Sequence, residues 1–247
     1  MDASATPIAL YLTAVSLGFL HTLLGPDHYI PFVAMARVGH WSLARTLAIT
    51  TLCGIGHVAS SAVLGLIGVS AGIVLFRLET LEAVRGRVAG WLLLGFGVMY
   101  FAWGLRRSIR NQPHTHLHAH TNGTLHSHAH SHQADHFHVH DIIEGCKNPS
   151  KSADSMTPWL LFTIFLFGPC EPLIPLVMYP AANGRFVDLL LVTCVFGATT
   201  ISTMLCTVAL LYLGFAALPV TPLGRHTHTI AGLSIIACAA VIFFFGT

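Results

Sequence analysis

The sequence predicts an all-α polytopic membrane protein, with six transmembrane helices forming two inverted three-helix repeats built on proline-broken helices. Three observations predict it. Mean hydropathy is +0.70 and only 9% of residues are charged, a composition outside that of ordinary soluble domains. Six long apolar runs occur, at about 7–36, 43–76, 83–105, 157–183, 187–218 and 227–246. The tetrad Gly25-Pro26-Asp27-His28 returns as Gly168-Pro169-Cys170-Glu171, each copy deep inside an apolar run.

The first run follows a leader, Met1 to Thr6, with no positive charge. It continues past the length of a cleavable signal, so it reads as a retained span. A crossing needs roughly 20 residues, and several runs exceed that, which predicts tilted or kinked helices. The run at 43–76 is long enough to leave open one crossing or two. A polar stretch, 108–155, separates the third run from the fourth. The expected organisation is a first three-helix repeat over 1–107, a flexible His-rich loop over 108–155 and a second repeat over 156–247. Five of the six cysteines, Cys53, Cys170, Cys194, Cys206 and Cys238, lie in apolar runs, with Cys146 in the polar stretch. That is not the disulfide framework of a small secreted domain. The net charge of +2 gives no reason to expect a nucleic-acid partner.

The halves align with an offset near 142 residues. The tetrads match, Cys53 and Gly56 match Cys194 and Gly197, and Ala89-Gly90 through Gly104 matches Ala231-Gly232 through Gly246, in the same order. Three spans per repeat is an odd number, so the second copy must be inverted, an architecture of transporters. Arg37, Arg45, Arg106, Arg107, Arg110, Lys147, Lys151 and Arg225 lie on one side of this arrangement. Arg77, Arg85, Arg87 and Arg185 lie on the other. The richer side is expected to be cytoplasmic, which places the polar loop inside the cell and both termini outside the cytoplasm.

Among the acidic residues, Asp27 and Glu171 lie far from the ends of apolar runs. An unpaired carboxylate at that depth costs several kcal/mol, so each needs a cation, a proton or a basic partner. No Lys or Arg is expected at that depth, which leaves His21, His28 and His57 as neighbours. His21 and His28 are about two helical turns apart. Pro26 cannot donate to the carbonyl of Thr22, nor Pro31 to that of Asp27. Pro169, Pro172 and Pro175 disturb the second copy further. Freed carbonyls and half-helix ends are usable by a cation. His57 sits in Gly54-Ile55-Gly56-His57, where small residues permit close helix approach. The matching region, Thr199-Thr200-Ile201-Ser202, offers hydroxyls. Asp27, His28, His21, His57, Cys170 and Glu171 are therefore the candidate metal ligands. Imidazole, carboxylate and thiolate together suit Ni, Co, Zn or Fe rather than Ca or Mg.

From His114 to His140, 11 of 27 residues are histidine: His114, His116, His118, His120, His126, His128, His130, His132, His136, His138 and His140. Apolar residues are too few there for a packed core, so disorder is expected. The repeated imidazoles read as an accessory metal-binding loop, to which Cys146 and Asp141 add donors.

His21-Thr22-Leu23-Leu24-Gly25-Pro26-Asp27-His28, Gly56-His57 and Phe167-Gly168-Pro169-Cys170-Glu171-Pro172-Leu173-Ile174-Pro175 resemble the UreH-like membrane proteins, relatives of the nickel/cobalt transporter superfamily. The resemblance extends over nearly all the spans. It departs in one place: five residues separate His21 from Asp27, where the superfamily has four. A histidine-rich loop between spans is similar to that of the superfamily's efflux members. The resemblance implies nickel or cobalt transport, with urease or hydrogenase nickel supply, or efflux, as roles. A second resemblance, of Pro169-Cys170 with Pro172 and Pro175, is to the CcdA-type thiol–disulfide carriers, in which each inverted repeat carries a reactive cysteine. Here Asp27 stands at the position matching Cys170, although Cys53 and Cys194 are repeat-related.

The expected function is a secondary transporter of divalent transition metal ions. Nickel or cobalt leads and zinc or iron also fits, the metal being substrate rather than cofactor. The alternatives are a transmembrane thiol–disulfide carrier using Cys170 and a membrane metal sensor or metallochaperone. Expected partners are the lipid bilayer, the metal ion and a cytoplasmic metallochaperone. The expected location is the bacterial inner membrane, with the His-rich loop cytoplasmic. No Walker motif and no constellation for hydrolysis or nucleophilic catalysis is present, so neither enzymatic activity nor an organic cofactor is expected.

Overall fold

The computed structural model describes residues 5–73, 75–110, 114–119, 125–130, 153–168, 170–217 and 226–245. It is a helical protein. Helix α1 (Ala5–Leu24) leads through a single 3-10 turn, Pro26–His28, into α2 (Ile30–Val38). Helices α3 (Leu43–Ser70) and α4 (Leu75–Arg110) complete the first half. After two short strands, β1 (His114–Ala119) and β2 (Leu125–His130), come α5 (Ala153–Phe167), α6 (Leu173–Ala182), α7 (Phe186–Ala217) and α8 (Thr227–Phe245).

Helices α3, α4, α7 and α8 are each long and apolar enough to cross a membrane. The run at 43–76 is accordingly one long helix and a turn, with Ser42 accepting the N–H of Arg45 at its start. The first run is not a straight crossing. Helix α1 meets the Pro26–Val38 segment at 83°, because Gly25 is extended (φ −88°, ψ 95°) and Pro26 cannot continue the ladder. The second tetrad breaks its run in the same place and leaves two short apolar helices, α5 and α6. Helix α4 runs for 36 residues, about 54 Å, so its polar first turns project well beyond the apolar window. Large apolar side chains such as Leu12, Trp91, Met99, Trp159, Leu210 and Phe244 are exposed on the outer surface. In water such a surface would associate; it is compatible with an integral multi-pass membrane protein.

The two halves pack by exchanging like elements. α1 lies on α7 as α5 lies on α3, α2 on α8 as α6 on α4, and α4 on α8. The last pair is the most intimate. A methyl group at Gly232 would lie 2.5 Å from the backbone nitrogen of Phe101, and one at Gly104 would lie 2.7 Å from the backbone of His228. Glycine is what allows these two backbones to touch. Several buried hydroxyls are satisfied within their own helices: Thr50 bonds the carbonyl of Thr46 and Thr203 that of Thr199.

The core has two centres. Phe32, Trp41, Cys53, Phe96, Phe165, Met204 and Ile235 form one. Ala14, Val58, Cys170, Leu173, Val177, Val192 and Phe196 form the other.

Part of the polar stretch departs from the expected disorder. Its His-x-His pattern has period two, the period of a strand. β1 and β2 pair antiparallel, with Cα partners His114 and His130, His116 and His128, and His118 and His126. His120, His132, His136, His138 and His140, with Asp141 and Cys146, lie outside the described residues.

Candidate functional site

His21 comes from the last turn of α1, His28 from the 3-10 turn, His57 from the middle of α3 and Cys170 from the link between α5 and α6. The break after Leu24 is what brings the first two together. Beyond it the chain turns sharply and folds His28 back, so the His21 and His28 ring centroids are 4.8 Å apart, edge to face. His57 arrives from α3 at 5.1 Å from His28 and lies parallel to His21 at 6.2 Å. Phe165 closes one side, 6.4 Å from the His28 ring and 6.2 Å from that of His57.

Two of the imidazoles turn Nδ1 toward backbone carbonyls. His28 directs Nδ1 at the carbonyl of Gly25 (3.1 Å) and His57 directs Nδ1 at that of Phe165 (3.4 Å). A carbonyl only accepts, so Nδ1 carries the proton in both rings and Nε2 of the neutral ring is a bare lone pair. The Nε2 atoms of His21, His28 and His57 are all buried without a hydrogen-bond partner. A buried polar group left unpaired costs about 1–3 kcal/mol. Three together are therefore about 3–9 kcal/mol, comparable to the whole stability of many domains. The rings that carry these nitrogens lie with centroids 4.8–6.2 Å apart.

A sulfur joins them. One nitrogen each from His21 and His57, and the Sγ of Cys170, lie within 4.8 Å of one another, with Cys170 and His57 buried. Donors 2.0–2.3 Å from one tetrahedral ion lie about 3.3–3.7 Å apart. Closing the trio around an ion thus requires movements on the order of 1 Å. Two imidazoles and a thiolate select borderline and soft transition metals over Mg or Ca. Among the described residues this is the one such group.

The remaining expected ligands stand elsewhere. Asp27 is half-buried, and its Oδ1 lies 3.4 Å from Nδ1 of His28, on the side of the ring away from Nε2. It occupies the place of a carboxylate that orients a metal-binding imidazole from behind. Glu171 is exposed and lines a cavity of about 240 Å³ with Glu79, Glu82, Ala83 and Ile174. It is not brought to the histidines. The hydroxyl of Thr200, in the α7 region matching His57, is buried without a partner and faces Gly18 of α1.

Two residues were missed by sequence reasoning. Glu82 is wholly buried, a buried acid beyond Asp27 and Glu171. It pairs with Arg85. Arg85 Nη2 donates to the carbonyl of Leu166 (2.9 Å) and to Ser60 (2.7 Å), and Glu82 Oε2 accepts the backbone N–H of Cys170 (3.2 Å). The apolar run at 83–105 begins one residue after Glu82, so a hydropathy window assigns that carboxylate to a polar connection while Arg85 falls just inside the run. The available signal was Arg85 itself, a charge inside an apolar run, three residues from an acid.

Comparison of the chain with models of protein families, with curated proteins and with solved structures finds no match in any of the three.

Proposed function

We propose that this chain is a secondary transporter of divalent transition metal ions, nickel or cobalt first, held in transit by His21, His57, Cys170 and the adjoining His28. The single observation that carries this reading is the grouping of His21 and His57 with the Cys170 thiol from the other half of the chain, beside His28, in a place where the Nε2 atoms of all three histidines are buried without a partner. Asp27 fixes the tautomer of His28. The exchange of like elements between halves supports six spans in two inverted repeats, with the broken helices meeting near the midplane. The same resemblance to UreH-like proteins supports nickel or cobalt. In this reading the protein lies in a bacterial inner membrane, and the His-rich stretch gathers or releases metal at the cytoplasmic face, where a metallochaperone can meet it. The thiol–disulfide alternative uses Cys170 but leaves the three histidines without a task.

The test is reconstitution. Proteoliposomes are offered Ni²⁺, Co²⁺, Zn²⁺ and Fe²⁺ in competition, and the lumen is analysed by element. The expected result is protein-dependent accumulation that His28→Ala/His57→Ala reduces to the level of empty vesicles. Undiminished flux in that double variant overturns the proposal. Tight binding with no flux in the wild type assigns the site to sensing instead.

A further inference from the structure

The second tetrad interrupts one particular hydrogen bond. In an unbroken helix the N–H of Cys170 would donate to the carbonyl of Leu166, four residues back. Here that bond is absent, and both of its members are taken by α4. The Cys170 N–H goes to Glu82 Oε2 and the Leu166 carbonyl to Arg85 Nη2. The charges suit the ends they meet. A guanidinium faces the carbonyl end of α5, where the helix dipole is negative, and a carboxylate faces the N–H side of the break that opens α6. The pair is itself held: Arg85 bonds Glu82, Ser60 and Ser61, and Ser61 donates to Glu82 Oε2.

The first tetrad manages the equivalent break locally. Leu23 stands where Leu166 does, and its carbonyl accepts the hydroxyl of Tyr29 (3.2 Å). The offset that relates the halves puts Gly224 and Thr227 opposite Glu82 and Arg85. Among the described residues the charged clamp is found at the second break, the one that supplies the thiol.

We propose that Glu82 and Arg85 are positioning residues for Cys170: inserted into the broken Leu166–Cys170 hydrogen bond, they hold the α5–α6 link so that Sγ faces His21 and His57. This rests on the metal-site reading for its purpose, but the clamp is testable without metal.

The experiment measures alkylation of Cys170, Cys53 and Cys238 by N-ethylmaleimide in the full-length protein in detergent, resolved by peptide mass. All three thiols are buried. The expected result in Glu82→Leu/Arg85→Met, which leaves no orphaned charge, is a rise of about tenfold or more at Cys170 alone, as local opening would produce. Arg85→Lys retains a donor for the Leu166 carbonyl and is expected to stay near the wild-type rate, and Glu82→Gln to fall between. A Cys170 rate within about twofold of wild type in the double variant, or a parallel rise at all three thiols, overturns the clamp. Co²⁺ is expected to slow Cys170 alkylation in the wild type. If it does not, the metal reading falls, while the clamp stands or falls on the metal-free rates.

Discussion

Replacing His57 by Leu separates ligand from structural histidine, because the two roles predict opposite changes. Leu fills similar volume beside Phe165 and removes the partnerless Nε2, relieving about 1–3 kcal/mol. It also removes the Nδ1–H bond to the Phe165 carbonyl, worth about 0.5–1.5 kcal/mol. That carbonyl keeps the N–H of Gly168 at 3.0 Å, so no new orphan appears. The metal-free variant should lie between about 0.5 kcal/mol less stable and about 2.5 kcal/mol more stable than the wild type. With metal the order reverses. At a free concentration of 100 Kd a bound ion adds about 2.7 kcal/mol, about 5–11 °C in Tm for a chain of this size, and the variant should lose most of that. The assay is thermal unfolding in detergent with and without buffered Co²⁺ or Ni²⁺. A variant whose metal-free Tm falls by more than about 4 °C while its metal-induced shift survives would show that His57 holds the fold and not an ion.

Asp27→Asn should weaken metal affinity by about 10–100-fold yet allow flux at saturating metal, because it orients His28 from behind; metal titration and vesicle uptake separate these. Gly232→Leu should cost about 3 kcal/mol or more, since its first carbon already meets the Phe101 backbone, and should appear as loss of the monodisperse peak in detergent. Gly95→Ala, with open space around it, should instead raise Tm by about 1–4 °C, through about 0.5–1 kcal/mol of helix propensity. Deleting 114–130 should lower the apparent affinity of uptake without lowering its maximal rate, measured across a metal concentration series.

What the sequence made legible was whatever depends on local chemistry. Gly25-Pro26 and Gly168-Pro169 break helices because of their own backbone constraints, so both breaks were readable. His21, His28, His57 and Cys170 were readable as scarce donors in apolar surroundings. The direction of each donor was not. Asp27 and His28 are adjacent in sequence, yet only the 3-10 turn decides that the imidazole faces inward and the carboxylate stands behind it. Glu171 follows Cys170 directly and turns the other way, toward Glu79 and Glu82. Glu82 and Arg85 escaped notice because hydropathy averages along the chain, whereas their burial comes from α3 and the α5–α6 link packing over them. The pairing of β1 with β2 was half visible: alternation gives the period of a strand but no partner or register.

The distribution of donors matters more to the proposed function than their number. A structural metal site gains by placing its ligands on one rigid unit, since pre-organisation lowers the cost of closing around the ion. Here the donors of the proposed site come from three separate elements. The α1–α2 element offers His21 and His28, α3 offers His57, and the α5–α6 link offers Cys170. Each ligand lost weakens binding in steps that multiply, so a separation of the two broken elements by a few ångströms would turn a closed site into two weak ones. The asymmetry of the breaks fits this division. The second element is anchored to α4 through Glu82 and Arg85, whereas the first is capped by its own Tyr29 and His28. If one element moves during transport, the self-capped one can do so without breaking a buried ion pair. The nitrogen donors on α1 and the 3-10 turn would then travel while the thiol stays, and release of the ion would begin with the loss of His21 and His28 rather than of Cys170.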